Sequence, residues 1–176
     1  MAAIFTAMAA KALRTAAVQT DQVGYYTVET YSADDSVGYL IAATRTRLFR
    51  ALDVELRKHG FSAAQWPILR AIADGETPIA ADLCRKLNYD TGSMARMLNR
   101  LEEKGVLRRE ASKDDGRTVR LRITPTGRRI YPKLRDATIR VLNRLVAGFS
   151  AAEVERAHEL LSRMHSNLDY VNDADL

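Results

Sequence analysis

Apolar side chains at Val37, Leu40, Ile41, Leu48, Leu52 and Leu56, with Thr44 filling the gap, recur every three or four residues across 36–58. That spacing predicts a helix of about six turns, and Gly60 is placed to end it. "SAAQ" at 62–65 is a capping box that opens a second helix, with Trp66, Leu69, Ile72 and Ala73 inward and Gly75 at its end. Pro67 deletes a backbone donor early in that helix and predicts a local distortion. Thr77 followed by Pro78 reads as a cap and a first helical residue, starting a short helix with Ile79, Leu83 and Leu87 inward, and Asn88 suits the left-handed turn that stops it. Asp90 caps the next helix, which runs to Gly105 with Met94, Met97, Leu98 and Leu101 on its inner face.

The period then changes from 3.6 to 2. In "TVRLRIT" Val119, Leu121 and Ile123 alternate with Arg120 and Arg122, the pattern of a half-buried strand. "DDG" at 114–116 supplies a tight turn and "VLRREA" the partner strand, giving a hairpin with one apolar face on the core. Helical spacing returns after Thr124-Pro125, through Ile130, Leu134, Ile139, Leu142, Leu145 and Val146, with Pro132 expected to kink the helix. "SAAE" at 150–153 caps a last helix striped by Val154, Ala157, Leu160, Leu161, Met164 and Leu168. Before residue 33 the chain is Ala-rich, then irregular with three tyrosines, and is expected to be a mobile arm.

These elements predict a fold that is mainly α with a small β-hairpin wing: a winged helix-turn-helix lobe at 61–124 and a helical dimerisation region formed by 36–60 and 125–170. Residues 1–35 are an N-terminal extension and 171–176 a tail. The long first helix and the last two have more apolar surface than the small lobe can cover, so a two-fold interface with a second copy is the economical way to bury it.

Composition narrows the function. A chain of 176 residues, 47% apolar and 28% charged, supports one core rather than two. No stretch approaches the roughly 20 apolar residues that span a bilayer. Lys11 and Arg14 interrupt the N-terminal segment where a signal peptide is apolar, so a cytoplasmic protein is expected, without membrane attachment. The single cysteine, Cys84, and the scattered His59, His158 and His165 have no metal-ligand spacing; neither metal nor cofactor is expected. Enzymatic readings fare poorly, because Glu102 and Glu103 are adjacent and point apart on a helix, and no phosphate loop or nucleophile elbow is present.

Charge gives the positive indication. Between Arg96 and Arg135 there are thirteen Lys or Arg against five acids, a local net of +8 in a chain whose total is +5. A basic block in an otherwise acidic chain points to a polyanion such as double-stranded DNA. On the capped helix Ser93, Arg96 and Arg100 fall in one line, with Asn99 beside them, opposite the apolar face. Three short helices of which the third exposes hydrogen-bond donors form a helix-turn-helix, and the hairpin, with Lys113, Arg117, Arg120 and Arg122 at its tip and outer face, is a wing beside it. The rival from another class is a winged-helix scaffold whose charge serves an acidic protein.

The order of capped helix with Trp66, short helix, "DTGSMARMLNRLEEKGVLRRE", "KDDGRTVRLRIT" and "TPTGRR" resembles the MarR family of winged-helix transcription regulators over about 37–168, most specifically over 90–128. The resemblance implies a homodimer on pseudo-palindromic operator DNA, usually a repressor, released by a small molecule or an oxidant. By position, Ser93, Arg96 and Arg100 match the family's base readers, Arg117 its wing arginine, and Asp115 the acid that holds that arginine. Gly92, which weakens the start of the recognition helix, and the first 35 residues depart from the pattern. For an aromatic effector the candidates are Trp66, as a cleft wall, and Arg70, as partner of a ligand carboxylate; for redox sensing the candidate is Cys84.

Overall fold

A computed structural model describes residues 24–75, 79–111 and 119–168. The chain divides into two units, Met1–Ala43 and Thr44–Leu176. In the first, a single 3-10 turn at Ala33–Asp35 precedes the long helix, and the Tyr26 hydroxyl accepts a hydrogen bond from the Val37 amide at 2.9 Å. Edge-on contacts join the rings of Tyr25, Tyr26 and Tyr31, so the described part of the lead-in is packed upon itself through its tyrosines.

Helix α1, Val37–Arg57, ends where predicted, with Gly60 in the left-handed region at φ +81°. The Ser62 capping box forms: the Ser62 amide donates to the Gln65 side chain at 3.2 Å and the Gln65 amide to Ser62 Oγ at 3.3 Å. Regular helix nevertheless begins only with α2, Gln65–Ala73. Pro67 has no N–H for the Ala63 carbonyl, so the ladder that the Trp66 amide opens on the Ser62 carbonyl at 3.3 Å is broken at its next rung. The predicted distortion is therefore a late helix start. Helix α3, Ala80–Leu87, starts after Ile79, which is extended and takes the cap position two residues later than the predicted Thr77, itself outside the described residues; Asn88 at φ +52° stops it. Helix α4, Thr91–Glu103, comes next, and Gly105 at φ +66° turns the chain into the hairpin.

The hairpin is a two-stranded antiparallel sheet, β1 Leu107–Ala111 and β2 Val119–Ile123, with Arg109 opposite Leu121 and Glu110 opposite Arg120. Its apolar face is seated at the base only: Leu107 and Leu121 are buried, Ile123 is half-buried and Val119 is exposed, because the strands diverge from the core towards the tip. Helix α5, Pro125–Leu145, starts on the Thr124 cap, whose hydroxyl accepts from the Gly127 amide at 3.1 Å, and runs without interruption through Pro132. Helix α6, Ala151–Ser166, opens on a full capping box between Ser150 and Glu153.

Leu56, Ile68, Leu69, Leu83, Met94, Leu98, Leu101, Leu107 and Leu134 are fully buried and knit the end of α1, α2–α5 and the hairpin base into one core. On α5 the inward line is Leu134, Ala137 and Val141, whereas Ile139, Leu142 and Leu145, of the apolar series expected to exceed what the lobe can cover, are exposed. They occupy the neighbouring stripe of the helix, which stays exposed among the described residues. On α6 nothing is buried.

Candidate nucleic-acid interface

The candidate recognition helix is α4, and its N-terminus is locally locked. Asp90 Oδ1 accepts the Ser93 amide at 2.8 Å, and Arg96 Nη2 donates to Ser93 Oγ at 2.8 Å. The Ser93 amide chiefly, then its hydroxyl and the nearby Arg96 charge, hold the Asp90 carboxyl below its usual range, so the cap is ionised at neutral pH. Gly92 fits this arrangement: a Cβ there would lie 3.3 Å from Asp90 Oδ1 and 3.5 Å from Arg96 Nη1, inside the cluster. Its poor helix propensity is the local cost of leaving Asp90 and Arg96 room.

With Met94, Leu98 and Leu101 buried, the helix turns Arg96, Asn99 and Arg100 to solvent, with Ser93 half-buried at the near end. Four predicted readers thus share one outward face, and the reason is the burial of the opposite one. Beside it stands the wing. Arg120 is half-buried on β2, on the face it shares with Glu110. Glu110 is ion-paired to Arg108 at 2.6 Å and to Arg122 at 3.6 Å, so part of the hairpin's charge is neutralised within the hairpin. Lys113, Asp115 and Arg117 lie outside the described residues.

Arg109, which the periodicity did not single out, reaches from β1 back to α4. Its guanidinium donates to Glu102 through Nη1 and to Asn99 Oδ1 through Nη2, the latter at 2.8 Å. The available signal was the i, i+3 spacing of Asn99 and Glu102, which puts both on one side of the helix.

The effector candidates are separate from this face. Trp66 is in the core, its ring 5.3 Å from that of Tyr131, while Arg70 is exposed. The Tyr131 hydroxyl donates to Asp74 at 3.0 Å; burial first, and that bond second, raise its pKa, so it remains a donor at neutral pH. A cavity of about 380 Å³ is lined by other residues, among them Arg45, Phe49, Arg50, Asp53 and Ser62, with the Arg45 guanidinium 4.9 Å above the Phe49 ring. Cys84 is a half-buried free thiol on α3, packed against the core. Among the described residues no cluster of His, Cys, Asp or Glu is arranged to hold a metal ion, and no helix is long and apolar enough to cross a membrane.

A sequence profile of the MarR family matches residues 59–118, which run from the end of α1 through the helix-turn-helix and into the hairpin. The fold agrees: wild-type MarR from E. coli, in its apo form, superposes with a TM-score of 0.64 at 27% identity over 73% of this chain and 96% of that one. In sequence profile and in fold the chain is similar to the MarR family. Among other MarR-family structures, a cysteine-to-serine mutant of E. coli MarR complexed with operator DNA gives a TM-score of 0.68 at 25% identity, covering 76% of this chain and 99% of that one. Among sequences, the uncharacterized HTH-type transcriptional regulator YdgJ of Bacillus subtilis is 27% identical over 112 residues, 64% of this chain and 68% of that protein. The HTH-type transcriptional regulator SarZ of Staphylococcus haemolyticus is 25% identical over 135 residues, 75% of this chain and 89% of that protein. With this winged lobe, and with likenesses to HTH-type transcriptional regulators and to a structure complexed with operator DNA, the chain reads as a DNA-binding transcription regulator.

Proposed function

We propose that the chain acts in the cytoplasm as a homodimeric repressor on a pseudo-palindromic operator, with residues 61–124 gripping DNA and 36–60 with 125–170 forming the dimer. The observation that carries this reading is the outward face of α4, where Ser93, Arg96, Asn99 and Arg100 stand together beside a basic hairpin. These four read base edges in the major groove. The wing residues Lys113, Arg117 and Arg120 contact phosphates or the minor groove, with Asp115 holding Arg117. The exposed Ile139, Leu142 and Leu145 of α5, and Leu160 and Leu161 of α6, support a second copy as the partner that covers them. Release is triggered by a small aromatic ligand, for which the cavity beside Arg45 and Phe49 supplies cationic and aromatic surface while Trp66 is taken up by the core, or by oxidation of Cys84.

The test is selection of the full chain on randomised duplexes, then titration of the selected site against salt, a small aromatic acid and mild peroxide. Arg96→Ala is expected to cost about 1 to 3 kcal/mol on the selected duplex and much less on random DNA, and affinity to fall steeply with salt. A response to peroxide that Cys84→Ser abolishes assigns the signal to the thiol; a response to the acid alone assigns it to the ligand. If no duplex is selected and an acidic protein binds instead, the scaffold reading replaces this one.

A further inference from the structure

The bond between Arg109 and Asn99 bears on which base the recognition helix can read, provided that α4 is that reader. Arg109 lies two residues beyond Leu107 along β1 and so shares its face; Leu107 is buried against the core. From there Arg109 is held twice by Glu102: one carboxylate oxygen accepts its backbone amide at 3.3 Å and the other accepts its side chain at Nη1. The second arm of the guanidinium, Nη2, then falls 2.8 Å from Asn99 Oδ1. A guanidinium has donors only, so whichever way the Asn99 amide turns in isolation, beside Arg109 it must present its oxygen to the wing and its NH₂ away from it.

We propose that Arg109, clamped by Glu102, is a positioning residue that fixes the amide orientation of Asn99 and thereby sets the base preference of the recognition helix. An unconstrained asparagine suits adenine, giving one hydrogen bond to N7 and accepting one from N6. Asn99 has its oxygen engaged by Arg109 and offers the NH₂ group. It therefore favours an edge rich in acceptors, the O6 and N7 of guanine or the O4 of thymine. Arg109 itself is not a free phosphate clamp, because Glu102 pairs its charge and the arginine side chain is only 34% exposed. The wing strand thus edits the specificity of the helix without touching the base.

The experiment compares base preferences, position by position, for the full-length wild type, Arg109→Ala, Asn99→Ala and the double variant, with affinity for random duplex measured alongside. Arg109→Ala is expected to shift preference at one base pair in each half-site by about 5- to 10-fold, from guanine or thymine towards adenine, while affinity for random duplex changes by less than about 2-fold. In the Asn99→Ala background, Arg109→Ala adds no further change at that base pair. Glu102→Gln, which keeps an acceptor but loosens the clamp, shifts the same base pair in the same direction by less, and serves if Arg109→Ala fails to fold. Equal loss on all duplexes makes Arg109 a phosphate contact and overturns the proposal, as does an unchanged preference profile in a protein that still selects its site. A wild type that selects no site overturns the reading of α4 itself, a result distinguishable from either.

Discussion

Replacing Gly127 by alanine tests how closely α5 is seated on the hairpin. Gly127 is buried in the first turn of α5. A Cβ there would lie well inside van der Waals distance of the Val106 carbonyl oxygen, 3.1 Å from that carbonyl carbon and 2.6 Å from Ile123 Cγ1, where ordinary contact begins at 3.4 Å. The Ile123 methylene can rotate away, but Val106 cannot: its carbonyl accepts the Thr124 amide at 3.0 Å, and the adjacent Gly105 carbonyl accepts the Thr124 hydroxyl at 2.6 Å. The helix start must therefore lift from the strand junction. Overpacking of this kind costs about 1 to 3 kcal/mol, and the two strained hydrogen bonds about 1 kcal/mol each. The higher helix propensity of alanine returns up to about 1 kcal/mol. The expected net loss is about 2 to 4 kcal/mol, read from urea unfolding monitored by circular dichroism at one fixed protein concentration, so that the proposed self-association contributes equally to both proteins. Adding Ile123→Ala is expected to recover less than half, because the clash with backbone remains. A Gly127→Ala protein within about 0.5 kcal/mol of wild type refutes the reasoning.

Two further predictions concern the rest of the chain. Leu142→Glu places a charge on the exposed stripe of α5; the secondary structure is expected to be retained while the dissociation constant of the proposed dimer rises at least about 10-fold, measured by sedimentation, and an unchanged constant removes that stripe from the proposed interface. Asp53 accepts the Ala63 amide at 2.6 Å and pairs with Arg57; the amide first, then Arg57, hold its pKa below the ordinary 3.8. A depressed folded value means that the ionised carboxylate stabilises the fold above about pH 4 and that this contribution is lost as pH falls through the folded value. Asp53→Asn keeps the acceptor for Ala63 and removes the charge, so its melting temperature should lie below the wild type's at neutral pH and converge with it in acid; a gap that is constant with pH contradicts this.

Much of this protein is local, and its local features were readable in the chain. Asp90, Thr124 and the Ser150–Glu153 box set their helix starts because each cap satisfies amides within three residues of itself, and Asn88, Gly60 and Gly105 end elements because the left-handed turn needs only its own residue. The outward face of α4 was legible for the same reason: Met94, Leu98 and Leu101 mark the inner face, and Ser93, Arg96, Asn99 and Arg100 are left over. Tertiary structure decided the remainder. Periodicity gives α5 one broad apolar stripe, but only the packed core separates Leu134, Ala137 and Val141, which it buries, from Ile139, Leu142 and Leu145, which it leaves exposed. The tie from Arg109 to Asn99 spans ten residues and a change from helix to strand, and a side-chain direction across such a junction depends on the angle at which β1 leaves α4. Hydrophobic spacing determines which face of an element is inward; which donor meets which acceptor is determined by how the elements dock, and no periodicity carries that distance.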